Sequence, residues 1–174
     1  MKKIVINTDK PFTFSNKITD EYGDFFILKQ YQLMNFIWHI PFTLDDTCFI
    51  PVKKRFVTGL EFRQQVIDEK HIPLDVFCAR AILEDREILI ELKSKWWNEI
   101  GGIHNPNKLN TINFFGSMAT PINDEKYLNI LCFEYQIFSD KIPVLRPFEA
   151  TDHWFENRDY AIVFKKEFIE KLIS

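Results

Sequence analysis

Apolar and polar positions along this chain change period twice in the same way. Ile50-Pro51-Val52-Lys53-Lys54-Arg55-Phe56-Val57-Thr58-Gly59-Leu60 lines up with Ile162-Val163-Phe164-Lys165-Lys166-Glu167-Phe168-Ile169-Glu170-Lys171-Leu172, with Ile, the lysine pair, Phe and Leu in matching places. In each copy a short apolar run gives way, at the two lysines, to apolar spacing near 3.6, the pattern of a strand feeding a helix. The first copy predicts a strand over Cys48–Val52 and a helix from about Lys54 to Lys70, with Phe56, Leu60, Val66 and Ile67 on its buried face. The second predicts a strand over Tyr160–Phe164 and a helix over Lys165–Ile173, which places Phe56 and Phe168 in equivalent buried positions.

Elsewhere the pattern predicts further strands. Ile4–Ile6 and the alternating Phe12-Thr13-Phe14 read as strands, Asp20–Asp24 as a turn, and Leu33, Phe36, Ile37 and Ile40 as one face of a short helix closed by Pro41. After Pro73 the near-continuous apolar run Leu74–Leu83, the turn residues Glu84-Asp85-Arg86 and Ile88-Leu89-Ile90 suggest a hairpin. Lys93–Asn113 holds Trp96-Trp97, Gly101-Gly102 and Asn105-Pro106-Asn107, and reads as a long exposed connection. Tyr127–Phe138 is rich in Leu, Ile, Phe and Tyr and reads as a central strand. Residues 139–159, with Pro143, Pro147 and, after Asp140, four further carboxylates, read as an exposed acidic, aromatic loop. Strands outnumber helices and their connections are local, so the expected fold is α+β: one domain over 1–174 with a mainly antiparallel sheet.

Composition narrows the function. The 174 residues are 46% hydrophobic and 27% charged, ordinary for a globular chain that buries a sizeable core. A net charge of −3, spread evenly along the chain, lacks the basic footprint that phosphate contacts require, so direct nucleic-acid binding is not expected. Cys48, Cys78 and Cys132 are odd in number and lie in or beside apolar runs, as expected of reduced core thiols in a cytoplasmic protein. The opening Met1-Lys2-Lys3-Ile4-Val5-Ile6-Asn7 is too short in apolar residues for a secretory leader, and no run approaches a membrane span.

Catalytic signatures are missing from the sequence. There is no Gly-x-Ser-x-Gly nucleophile elbow, and Gly101-Gly102 lacks the strand, third glycine and lysine of a phosphate cradle. His39, His71, His104 and His153 have no metal-ligand spacing, so neither a metal nor a cofactor is expected. Two segments draw notice instead. Trp96 and Trp97 are adjacent and cannot both face one core, so at least one ring is expected at the surface: a cover for the core edge or an interface anchor. In Glu149-Ala150-Thr151-Asp152-His153-Trp154-Phe155-Glu156-Asn157-Arg158-Asp159, carboxylates alternate with large rings. Such a segment suits a basic cleft, the carboxylates steering association and the rings supplying desolvated anchors; Glu149, Asp152, Trp154, Phe155, Glu156 and Asp159 are therefore candidate partner-binding residues, with Trp96 and Trp97 second. Paired carboxylates also suit the acid and base of a hydrolase.

The apolar strand, lysine turn and Phe-containing helix that stand as Phe49-Ile50-Pro51-Val52-Lys53-Lys54-Arg55-Phe56 and Ala161-Ile162-Val163-Phe164-Lys165-Lys166-Glu167-Phe168 resemble immunity proteins of bacterial contact-dependent growth inhibition and other polymorphic toxin systems. The likeness covers about a third of the chain and transfers no functional residue. It implies a non-enzymatic, cytoplasmic antitoxin that neutralises the C-terminal domain of a cognate toxin, a basic RNase or DNase, by blocking its active site or substrate face. A scaffold or adaptor domain and a small hydrolase are the alternatives.

Overall fold

The computed structural model describes residues 1–7, 9, 25–30, 37, 39–54, 56–101, 111–121, 131–137, 145–151, 154–155 and 159–174, with backbone only for 25–30, 120, 121, 131 and 154. At one edge of the main sheet the two repeated strands lie side by side. β2 (Thr47–Pro51) and β10 (Tyr160–Phe164) pair antiparallel from Thr47↔Phe164 to Pro51↔Tyr160. On the far edge of β10, β5 (Thr111–Asn113) pairs in parallel and β4 (Ile72–Pro73) antiparallel. β7 (Leu131–Gln136) continues from β5, β8 (Leu145–Glu149) pairs along the other edge of β7, and β6 (Ser117–Pro121) joins β7 to β1 (Phe25–Gln30). A separate two-stranded ribbon pairs β3 (Val57–Thr58) with β9 (Trp154–Phe155). The sheet is mixed but mostly antiparallel, and with the helices it makes an α+β fold.

Four α-helices are described: α1 (Gly59–Asp68), α2 (Val76–Leu83), α3 (Arg86–Ile100) and α4 (Lys166–Ile173). Side-chain caps set three of their starts. Thr58 and Glu61 form a reciprocal capping box at α1, the Thr58 hydroxyl accepting from Glu61 N at 3.3 Å and Glu61 Oε2 accepting from Thr58 N at 2.7 Å. Asp75 caps α2 by accepting from Cys78 N at 2.8 Å, and Asp85 caps α3 by accepting from Glu87 N and Ile88 N. None of the described helices is long and apolar enough to cross a membrane.

Strand alternation divides the interior into two cores. On β10, Tyr160, Ile162 and Phe164 face the larger one, with Phe133 and Tyr135 of β7, the buried faces of α2 and α3, and α4 packed at its border. Ala161, Val163 and Cys132 face the smaller one, built from Phe62 and Val66 of α1 with Phe115, Phe148 and Phe155. Edge-to-face contacts fill it: Phe62 meets Phe115 at 5.0 Å and Phe155 at 5.5 Å, and Phe148 meets Phe155 at 5.3 Å. Gly59 lets α1 start against this cluster, because a Cβ there would lie 2.6 Å from the Phe148 ring.

Several sequence expectations are corrected. Leu74–Leu83 is not a strand, and Ile88–Ile90 is not its hairpin partner: both segments are helical. Most of α2 is buried, on more than one face, so its apolar residues form a run without a helical period. The expected connection at 93–113 is helical as far as Ile100, because Ile88, Leu89, Leu92 and Trp96 make a buried stripe; residues 102–110 lie outside the described residues. The expected exposed loop at 139–159 contains β8 and β9, and Phe148, Ala150 and Phe155 are buried. Ile4–Ile6 makes only an isolated bridge, Ile4 to Phe42. Phe12–Phe14 and the 20–24 turn lie outside the described residues, as does most of the 33–40 helix.

The repeat also breaks down after its strands. Phe56 is 64% exposed at φ 55°, whereas Phe168 is half-buried and stacks on Phe164 at 5.4 Å. The helix of the first copy starts five residues later than its lysine pair, because residues 57–58 are taken up by pairing with β9. Phe56 therefore stands where the chain turns and is not on a helix face.

Candidate functional site

The adjacent tryptophans are separated by their places on α3. Trp96 is fully buried, edge-on to Phe49 at 5.1 Å and to Tyr160 at 5.0 Å, and it locks α3 to the sheet. Trp97, one residue and about 100° further round, is 59% exposed. Ile90, seven residues earlier and 55% exposed, shares its face. Glu87, Ile90, Ser94 and Trp97 thus form an outward line on a helix held rigid by its other side. At the start of α3 the Lys2 ammonium pairs with Asp85 and Glu87, both at 2.8 Å.

The residues expected around 149–159 do not assemble into one surface. Phe155 is buried in the smaller core and Trp96 in the larger, so neither ring is available to a partner in this conformation. Glu149 ends β8 and is half-buried. Asp159 precedes β10, also half-buried, where its Oδ1 accepts a hydrogen bond from the Thr111 hydroxyl at 2.7 Å and its carbonyl accepts from Val52 N at 3.2 Å. Asp152, Glu156 and the side chain of Trp154 lie outside the described residues.

A second constellation was not expected. Asn113, Glu134 and Arg146 stand opposite one another across β5, β7 and β8, and Thr111 and Gln136 form the adjacent row. Asp159 joins the panel through Thr111. Glu134 is only 5% exposed, and its burial, reinforced by the Asp159 charge, pushes its carboxyl up to about 7 against the opposing pull of Arg146 and a hydrogen bond from Gln136. Asn113 is fully buried; its Nδ2 donates to the Tyr160 carbonyl at 3.0 Å, and its Oδ1 has no partner among the described residues. The sequence signal was modest: a carboxylate within the apolar run 127–138, at a position alternating with Phe133 and Tyr135.

The other ionisable groups read as structural. Burial raises the Cys48 thiol, pushes Cys132 up to about 12 and holds Cys78 well above the ordinary range, so none is a ready nucleophile at neutral pH. Burial, with the nearby Lys166 charge, lowers His71, whose Nε2 lies 3.6 Å from Glu69. Among the described residues no three His, Cys, Asp or Glu side chains gather as they would to hold a metal ion. An open cleft of about 440 Å³ lies between the N-terminal segment and the α2–α3 junction, lined by Lys3, Asn7, Phe77, Arg80 and Glu84 among others. Arg80 donates to the Asn7 carbonyl across it and lies over the Phe77 ring at 5.4 Å.

No protein-family model matches this chain, no curated protein matches it in sequence, and no solved structure matches it in fold.

Proposed function

We propose that this protein is a non-enzymatic immunity protein, a cytoplasmic antitoxin that binds the C-terminal nuclease domain of a cognate toxin and covers its active site or substrate face. The observation that carries this reading is Trp97, a large ring exposed on a helix that its neighbour Trp96 anchors in the core. Such a ring meets a partner already ordered, so little conformational entropy is lost on contact, and Trp leads the residue types found at binding hot spots. The net charge of −3 acts in the same direction, because a nuclease cleft must be basic to hold phosphates. Repeated strand, lysine pair and Phe segments supply the likeness to immunity proteins. The partner is a toxin domain and not nucleic acid itself.

The test is a titration of this protein against the C-terminal domain of the product of the gene immediately upstream, with nuclease activity read in parallel. Wild type should bind and silence the nuclease. Trp97→Ala should raise Kd by about 30-fold, through faster dissociation, at unchanged thermal stability. Charge reversal at Asp152 and Glu156 should slow association and flatten its dependence on salt. Absence of binding to the neighbouring product would remove the immunity reading, and wild-type affinity in all of these variants would place the interface elsewhere.

A hydrolase remains the second reading because Glu134 and Asp159 unite a carboxyl near 7 with a second carboxylate, the kind of pairing that acid–base chemistry uses. Its test is hydrolysis of ester and glycoside panels, abolished by Glu134→Gln.

A further inference from the structure

The Asn113 amide decides what its neighbour must be. With Nδ2 committed to the Tyr160 carbonyl on β10, Oδ1 is left fully buried without a donor among the described residues. The residue opposite Asn113 on β7 is Glu134. Opposed side chains on one face of an antiparallel pair stand with their Cβ atoms about 5 Å apart, within reach of each other. An ionised carboxylate only accepts hydrogen bonds, so it would set acceptor against acceptor in a buried place. A protonated carboxyl has the O–H that Oδ1 lacks. We propose that Glu134 is a proton-linked latch: in the closed sheet its carboxyl keeps a proton and donates it to Asn113 Oδ1, so that opening of the β7–β8 pair is coupled to release of that proton.

The charged and polar groups facing Glu134 fit such a latch. Asp159, held in front of β10 by Thr111, opposes a second negative charge. Arg146, opposite Glu134 on β8, favours ionisation, as does the Gln136 side chain on β7 itself. From the α1 layer, Arg63 has its Nε committed to the Phe115 carbonyl and acts on the neighbouring Cys132. Burial and Asp159 thus outweigh Arg146 and Gln136, and the balance rests on strands that also carry Glu149 and lead into the 149–159 segment. When β8 parts from β7, water reaches Glu134 and the proton leaves.

Carboxyl-detected NMR of the full chain, uniformly labelled with carbon-13 and titrated from pH 4 to 9, tests this directly. The Glu134 resonance, identified by its loss in Glu134→Gln, should titrate near 7 and not near the ordinary glutamate value of 4.5. Asn113→Ala and Asp159→Asn should each lower that midpoint, and Arg146→Gln should raise it. Amide protection across 131–136 and 145–149, corrected for intrinsic exchange, should fall by about tenfold per pH unit between 4.5 and 7 and level off above, and should be flat in Glu134→Gln. A wild-type midpoint near 4.5, or the same pH-dependent loss of protection in Glu134→Gln, overturns the latch. A midpoint near 7 that Asn113→Ala leaves in place overturns the assignment of Asn113 as acceptor.

Discussion

Truncating Trp96 and Trp97 in turn separates the structural side of α3 from its exposed side. Trp96 is fully buried and makes two edge-to-face contacts, with Phe49 and Tyr160. Removing a buried aromatic costs about 3–5 kcal/mol, and loss of the ring pairs, each worth about 0.5–1.5 kcal/mol beyond burial, puts Trp96→Ala toward the upper end of that range. That is a large part of the roughly 5–15 kcal/mol of an ordinary domain. Trp96→Phe keeps one ring and should lose less than half as much. Trp97→Ala removes a mostly exposed ring and should stay within about 0.5 kcal/mol of wild type. Urea denaturation followed by far-ultraviolet circular dichroism reads all three, with the slope against urea compared to confirm that the same transition is observed. Equal losses for Trp96→Ala and Trp97→Ala would refute the burial assignment, and with it the argument that a rigid helix displays Trp97.

Three other perturbations follow from the geometry. A Cβ at Gly116 would lie 2.7 Å from the Pro73 carbonyl oxygen and 2.8 Å from Asp75 N, both backbone atoms, so Gly116→Ala should cost about 1–3 kcal/mol and lower the urea midpoint. Asp75→Ala removes the buried cap of α2 and should cost about 1–2 kcal/mol, with Asp75→Asn recovering part of it, checked by the same urea series. His71 has its folded pKa below the ordinary histidine value of 6.5, so the unfolded chain takes up its proton first on acidification. Its stabilising contribution is present above 6.5 and is lost as pH falls through the folded value; the urea midpoint of wild type should drop through that window more steeply than that of His71→Gln.

Where a segment is buried on one side only, period and burial coincide and the local pattern is sufficient. Cys48–Val52 and Tyr160–Phe164 were legible for a different reason, each being a short apolar run closed by a lysine pair, as suits a strand with a core on either face; the first differs from β2 by one residue at each end and the second matches β10, and the run 127–138 holds β7. The core thiols were legible too, since Cys78 and Cys132 sit among apolar neighbours on both sides in sequence. The start of α1 was misread because a lysine pair followed by Phe56 imitates a helix, whereas the capping pair Thr58 and Glu61 marks where it begins. Asp85, read as a hairpin turn, is a helix cap: one residue type serves both uses, and the choice falls to the partners of the segments on either side.

What the sequence by itself determined is the α+β class, the two strands of the repeat that pair with each other at one edge of the sheet, an acidic net charge, and the rule that Trp96 and Trp97 face different ways. Only the tertiary structure decided which tryptophan is outside, that Leu74–Leu83 is helical, that Phe56 is exposed and Phe155 buried, and that Glu134 sits between Asn113 and Arg146. The physical reason is one of range. Periodicity records how a segment meets a single apolar surface, so it has no say where a helix is covered on more than one face, as α2 is. The ionisation of Glu134 depends on groups up to 25 residues away along the chain, and those become its neighbours only when β5 and β8 pair with β7 and β10 pairs with β5.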